Sequence, residues 1–335
     1  MRIAVDAMGG DHAPGRIVDG AVAAARYLGI GVDLVGRTEA IAAELARHPD
    51  VRMLDVRVIE APDVVEMAER PAQALRRKPG ASIRVAAELV ASGEAAALVT
   101  AGHTGAAVVA AHQAFGMLPG VDRPALAPSV PTRAGSAVLL DVGATVECRP
   151  AHLLQFGVMG SVYARAGLGV QSPRVGLLSI GEEETKGNEL TREAHRLLKA
   201  APINFVGNVE ARDIFSGQAD VIVCDGFTGN VALKLSEGLV EMVEDLLGEE
   251  LSSTFTSQVG SLLSRRAFRR FRKRVDYSEY GGAPLMGVAG LCIVGHGRSS
   301  AKAIRNAIAT ASRFVASNVL GRVEQEIQAA AVTHQ

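Results

Sequence analysis

Asp6-Ala7-Met8-Gly9-Gly10-Asp11-His12-Ala13-Pro14 follows the short apolar run Arg2-Ile3-Ala4-Val5 and precedes a stretch of helical composition over residues 17–28. The order is buried strand, polar loop, helix. Gly9 and Gly10 open backbone conformations barred to other residues, and Pro14 suits the first turn of the helix. A helix start presents unpaired N–H groups and a positive dipole end, so this junction can hold a phosphate or a carboxylate. Asp6 and Asp11 repel such a guest unless they orient His12 or a nearby Lys or Arg. The competing reading is a plain turn with Asp11 as helix cap.

Working outward, strands are predicted at residues 31–36, 56–59, 95–99, 137–140, 174–180, 203–206, 219–224 and 291–294. Helical patterns fall between them, among them residues 40–47, the loop and helix of 71–90, and a long helix over 231–247. Short apolar strands alternating with helices are the signature of a doubly wound parallel sheet. The uncharged stretch 95–121 is broken by Gly102-His103-Thr104-Gly105, which makes it strand, turn and buried helix rather than a membrane span. No internal repeat or low-complexity linker divides the chain, and a lobe boundary is placed near residue 150.

Ligands of open α/β sheets bind outside the carboxyl ends of the strands. The loops there are polar: residues 100–105, 141–145, 181–189, 208–213, 225–230 and 295–300. In the predicted sheet they converge on one rim.

The 335 residues are 48% hydrophobic and 21% charged with a formal net charge of −1, which fits a folded globular chain and excludes a globally basic nucleic-acid binder. Cys148, Cys224 and Cys292 are odd in number and far apart, so neither a disulfide framework nor a zinc knuckle is expected. With no signal-peptide core before Asp6, a cytoplasmic protein is expected.

Gly295-His296-Gly297 is half of a dinucleotide fingerprint, but no strand with a ribose-binding acid follows it, so NAD is disfavoured. P-loop, zincin and hydrolase-elbow motifs are absent. Glu182, Glu183 and Glu184 form either a cation site or, as favoured here, a solvated loop ahead of a helix capped near Asn188. Lys186 either positions an anion or is an exposed counter-ion. Cys224 reads as a core thiol rather than a nucleophile. His12, His103 and His296 each sit in a glycine-bearing loop after a strand, and at least one is assigned a site role as donor or proton carrier. Asn230 and Lys234 either cap the long helix or bind an anion at its start. Residues 265–274 carry seven basic side chains in ten, with Leu263, Ala267, Phe268, Phe271 and Val275 on one helical face. This basic amphipathic helix packs on its own domain or a dimer mate, or meets anionic lipid or an acidic protein.

The opening loop, residues 181–190, 207–213 and 225–234, and Tyr280-Gly281-Gly282-Ala283-Pro284 resemble, in order and nearly end to end, the bacterial acyl-ACP:phosphate acyltransferases. The resemblance implies an enzyme that makes acyl-phosphate and free acyl carrier protein (ACP) from acyl-ACP and inorganic phosphate, for phospholipid synthesis. It implies a Rossmann-like αβα sandwich of the phosphotransacetylase and isopropylmalate dehydrogenase type, as a single two-lobed unit over 1–335. Residues 290–335 would return to the first lobe, and 236–280 would form a projecting helical arm. A homodimer, contact with the inner face of the membrane and a downstream glycerol-3-phosphate acyltransferase partner are also implied, with no cofactor, metal or nucleic acid. Carried onto this sequence, His12, Lys186, Asn230 and His296 are assigned to catalysis. Asp6, Gly9, Gly10, Asp11, His103, Thr104, Gly105, Asn188, Asp225, Gly226 and Lys234 are assigned to substrate. Leu263, Arg265, Arg266, Phe268, Arg269, Arg270 and Phe271 are assigned to membrane or ACP contact. The chain departs from the family pattern at His103, Thr145 and Ser179, where Asn is expected. Alternatives are an acyl-CoA phosphotransacetylase and a non-enzymatic ACP- or lipid-binding scaffold.

Overall fold

The computed structural model describes residues 1–275 and 281–332. Its strands are β1 (Arg2–Asp6), β2 (Gly31–Gly36), β3 (Val56–Glu60), β4 (Ala97–Thr100), β5 (Ala125–Leu126), β6 (Ser129–Thr132), β7 (Gly135–Leu140), β8 (Val175–Ser179), β9 (Phe205–Glu210), β10 (Val221–Val223), β11 (Ala283–Met286) and β12 (Cys292–Val294). They form a seven-stranded sheet in the order β3-β2-β1-β4-β12-β11-β5 and a five-stranded sheet in the order β6-β7-β10-β8-β9. Pairing is parallel except where β11 meets β12 and β5, and where β6 meets β7. Central strands are mostly apolar because helices cover both faces, with Asp6, Asp33 and Thr100 as buried polar exceptions.

Those helices are α1 (Gly15–Leu28), α2 (Thr38–Leu45), α3 (Pro71–Arg77), α4 (Ser82–Ala91), α5 (Thr104–Phe115), α6 (Pro150–Leu168), α7 (Glu189–Ala200), α8 (Gly226–Ser252), α9 (Phe255–Val275), α10 (Ala301–Ala316) and α11 (Val319–Val332). Successive side chains of a strand point to opposite faces, and the core divides accordingly. Ile3, Val5, Val138 and Leu140 join one apolar layer with Phe156 of α6 and Phe314 of α10. Ala4, Ala137 and Leu139 join the other with Ala86 of α4 and Ala107 of α5. Each layer runs through both sheets, so the two lobes share their core. Truncating a side chain as buried as Leu140 would cost about 2–5 kcal/mol.

Three sequence expectations are corrected. Strands β5, β6 and β11 were not anticipated, because they are two to four residues long and lie among Pro128, Pro131 and Pro284, with no period-two signal to reveal them. The chain changes sheet between Leu126 and Ser129 rather than near residue 150, and it returns with β11. The long helix begins at Gly226, five residues before the expected 231, since the Asp225 carboxylate accepts a hydrogen bond from the Thr228 N–H (2.9 Å) and caps it. Tyr280 and the end of the expected 236–280 arm lie outside the described residues, as do the side chains of 272–275.

Candidate active site

Two buried aspartates organise the rim. Asp6 ends β1 and takes hydrogen bonds from the Ser82 hydroxyl (2.6 Å), the Thr100 hydroxyl (2.8 Å) and the Met8 N–H (3.2 Å). Asp141 follows β7 and takes them from the N–H groups of Leu126 (2.7 Å), Gly143 (3.1 Å), Ala144 (3.1 Å) and Thr145 (2.5 Å). Burial raises both carboxyls above the usual range despite these bonds, Asp141 to about 6. Each shapes the glycine loop that follows its strand. Gly10, at φ +108°, brings the first loop so close to the Gly297 carbonyl that a Cβ would sit 3.0 Å from it. The Asp11 N–H then donates to that carbonyl at 2.8 Å, locking the opening loop to the His296 loop.

A cleft of about 470 Å³ opens between these loops and the start of α8. On one side stand Asp11, Gly102, Thr104, Gly105 and Gly295, His296 and Gly297; on the other stand Val142, Gly143, Asn230, Leu233, Lys234 and Glu237. The α5 N-terminus faces it, capped by His103, whose Nδ1 accepts from the Gly105 N–H at 3.1 Å. A smaller adjoining cavity is lined by Asp6, Gly9, Gly10 and His103.

Lys234 and His296 meet across the cleft, with Nζ 3.4 Å from Nε2. His296 Nδ1 accepts from the Arg298 N–H at 3.2 Å, which puts the proton of a neutral ring on Nε2. Burial, with Lys234 adding to it, holds the His296 pKa below its ordinary value, so the ring is neutral at pH 7. Nε2–H and the ammonium are then both donors at one spot, a pair matched to an anion. Buried Glu237 holds Lys234 there through a 2.7 Å ion pair.

Asp11, Thr104, Gly105, Asn230, Lys234 and His296 are thus brought to one cleft, with Asp6, Gly9, Gly10 and His103 beside it. His12 and Lys186 are exposed and do not line it. Asn188 caps α7 by accepting from the Thr191 N–H, as Asp225 caps α8. Gly226 packs under Thr145, to whose carbonyl its N–H donates at 3.0 Å. Asp11 is not the cap of α1, which begins at Gly15 with no side-chain cap. Glu184 is engaged by Lys199 and by His195, in keeping with a solvated loop. Cys224 is fully buried and its thiol is held far above the ordinary pKa by burial, then by Asp141 and Asp225, so it stays protonated. Of the positions where Asn was expected, Thr145 donates its hydroxyl to the Pro124 carbonyl (2.8 Å), and the buried Ser179 Oγ has no hydrogen-bond partner. Thr100 and Asp141 lie in loops that the sequence places on the rim without giving them a role, and Ser82 and Glu237 are not singled out by it. Only Glu237 had a local signal, its three-residue spacing from Lys234 on one helix face.

A family model described as "fatty acid synthesis protein" matches residues 1–322. The phosphate acyltransferase of Geobacter sp. (strain M21) is 54% identical over 327 residues, spanning 98% of this chain and 93% of that protein. Among solved structures, a phosphotransacetylase from Staphylococcus aureus superposes with a TM-score of 0.60 at 16% identity, over 93% of this chain and 94% of that one. A 4-hydroxythreonine-4-phosphate dehydrogenase from Klebsiella pneumoniae does so at 0.54 and 15% identity, over 94% and 99%. At such low identity these two speak for the fold alone. Identity above one half over almost the whole length says more: this chain belongs to the phosphate acyltransferase family.

Proposed function

We propose that the enzyme transfers the acyl group of acyl-ACP to inorganic phosphate, giving acyl-phosphate and free ACP for phosphatidic acid synthesis. The observation that carries the reading is the paired donor site of Lys234 and His296 at the mouth of the α5 N-terminus. Phosphate held there is oriented for attack on a thioester carbonyl, and Asn230, one turn before Lys234 on α8, supplies a donor to the developing oxyanion. A phosphate oxygen bonds to the acyl carbon, the carbon–sulfur bond breaks, and the proton carried by hydrogen phosphate passes to the departing sulfur. Because a thiol is an acceptable leaving group near neutral pH, no covalent enzyme intermediate is required.

The wider assignments rest on surface features. The α8 face exposes Leu235, Met242, Val243 and Leu246 at helical spacing, which supports a homodimer. On α9, Phe268 and Phe271 turn toward α8 while Leu262 and Leu263 are 68% and 82% exposed. Leu263 sits at the edge of the predicted apolar stripe, which explains its exposure. With Arg265, Arg266, Arg269 and Arg270 this surface supports a peripheral cytoplasmic enzyme at the anionic inner face of the membrane, handing product to a glycerol-3-phosphate acyltransferase. No helix among the described residues is long and apolar enough to cross a membrane.

The test is release of ACP thiol from long-chain acyl-ACP with phosphate varied. Phosphate-dependent release is expected; release indifferent to phosphate would remove the proposal. Equal turnover of acyl-CoA would move it to the phosphotransacetylase reading.

A further inference from the structure

A second cavity of about 530 Å³, within the size range of lipid and drug-sized ligand sites, adjoins the cleft on the α8 side. Its apolar walls are Val130 and Pro131 of β6, Phe215, Leu239 and Val240 of α8, and Phe271 of α9, with Thr132, Arg133 and Ser236 as polar members. Leu233 and Glu237 line both this groove and the cleft, so the two spaces share a wall one helical turn long. From Leu233 to Val240 the groove follows α8 for about 10 Å away from Lys234.

We propose that this groove holds the hydrocarbon tail of the acyl thioester. The inference rests on the acyl-transfer reading and names where that substrate's apolar part lies. Reaction requires the carbonyl at Lys234 and His296, while the tail needs an apolar path out of a polar site. Two exits are apolar. Toward α10 the cleft ends on Val294, Ile304 and Ala307, which are 4%, 1% and 1% exposed, a closed wall with no room for a long chain. Toward α8 the lining stays open: Leu239, Phe271 and Phe215 are 55%, 44% and 37% exposed. Large apolar side chains around a concave surface cost free energy in water, and an alkyl chain laid over them removes that cost. The buried Glu237 carboxylate at the junction is neutralised by Lys234, so the tail passes an ion pair and not a bare charge.

Two measurements test this. First, Val240→Trp fills the groove, and the ratio of kcat/KM for sixteen-carbon over six-carbon acyl-ACP should fall about tenfold, the worth of roughly two buried methylenes. Ile304→Phe, at the closed end, should leave the ratio as in wild type. Second, wild-type enzyme irradiated with sixteen-carbon acyl-ACP bearing a terminal diazirine should be labelled on peptides containing Phe215, Val240 or Phe271. An unchanged ratio for Val240→Trp, a fall with Ile304→Phe instead, or labelling confined to 301–308 would overturn the proposal. So would loss of self-association by Val240→Trp in sedimentation, which would make the groove an interface with a second copy. If neither chain length gives phosphate-dependent thiol release, the acyl-transfer reading itself has failed, an outcome distinct from a lost chain-length ratio.

Discussion

Lys234 and His296 belong to different lobes, yet the ammonium stands 3.4 Å from the imidazole Nε2 while Glu237 holds it at 2.7 Å from behind. Two donors so placed would offset the Asp11 carboxylate on the cleft wall for an anionic guest. The Asp6 carboxylate is engaged by two hydroxyls, while Asp11 ties the opening loop to Gly297 through its backbone N–H and keeps its carboxylate on the cleft wall.

The first prediction concerns that pair. Lys234→Ala should lower kcat/KM for phosphate by about 10²–10³-fold, the usual loss for one positioned donor to a reacting anion. His296→Gln, which keeps a donor, should lose less than His296→Ala. Varying phosphate at saturating acyl-ACP tests this, and an unaltered phosphate dependence in Lys234→Ala would refute the assignment.

The second concerns Asp141. Its folded pKa of about 6 lies above the ordinary 3.8, so the folded state binds the proton more tightly than the unfolded chain. Its contribution to stability is therefore fully present below about pH 4 and is lost as pH rises through about 6, a change of about 3 kcal/mol. Asp141→Asn cannot titrate, and its amide would face the Thr145 N–H as a second donor, a penalty that does not vary with pH. The wild-type advantage over the variant should shrink by about 3 kcal/mol between pH 4 and pH 7 in urea unfolding. Parallel pH profiles would show that Asp141 is not the titrating group.

The third separates two glycines of one helix. A Cβ on Gly229 would overlap the Asp141 carbonyl oxygen, whereas around Gly238 there is open space. Gly229→Ala should cost about 1–3 kcal/mol or more and disturb Asn230 beside it. Gly238→Ala should gain about 0.5–1 kcal/mol from helix propensity. Thermal unfolding of both, with kinetics of the first, checks the contrast; equal Tm shifts would contradict it.

The fourth concerns the basic face of α9. Changing Arg265, Arg266, Arg269 and Arg270 to Ser should weaken flotation with anionic vesicles at least tenfold while thiol release in solution persists. Wild-type binding should fall as salt rises, since exposed charges are screened beyond about 8 Å at physiological ionic strength. Flotation indifferent to both salt and substitution would leave lipid contact without an electrostatic part.

The alternation of apolar strands with helices made the doubly wound sheets legible, because a strand buried on both faces declares itself by composition alone. The opening loop was legible as an anion-site candidate for a similar local reason. What stayed hidden was relational. Nothing near Asp141 in sequence says that it gathers four N–H groups, one of them from Leu126 on another strand. Likewise, His12 and Lys186 carry the residue types of a site and share the rim's loops, yet their side chains point to solvent, because a loop's chemistry does not fix its direction. Strands β5 and β11 were too short for any period to show, although they set where the chain crosses between lobes.

Helix α8 runs unbroken for 27 residues, about 40 Å, with Asn230 and Lys234 at its capped end and the packing surface for α9 at the other. Near its start it is held by the close contact of Gly229 with the Asp141 carbonyl, where a Cβ would not fit. Lys234 and the surface that packs on α9, from Glu244 to Ser252, therefore lie on one continuous element, about 15 Å or more apart.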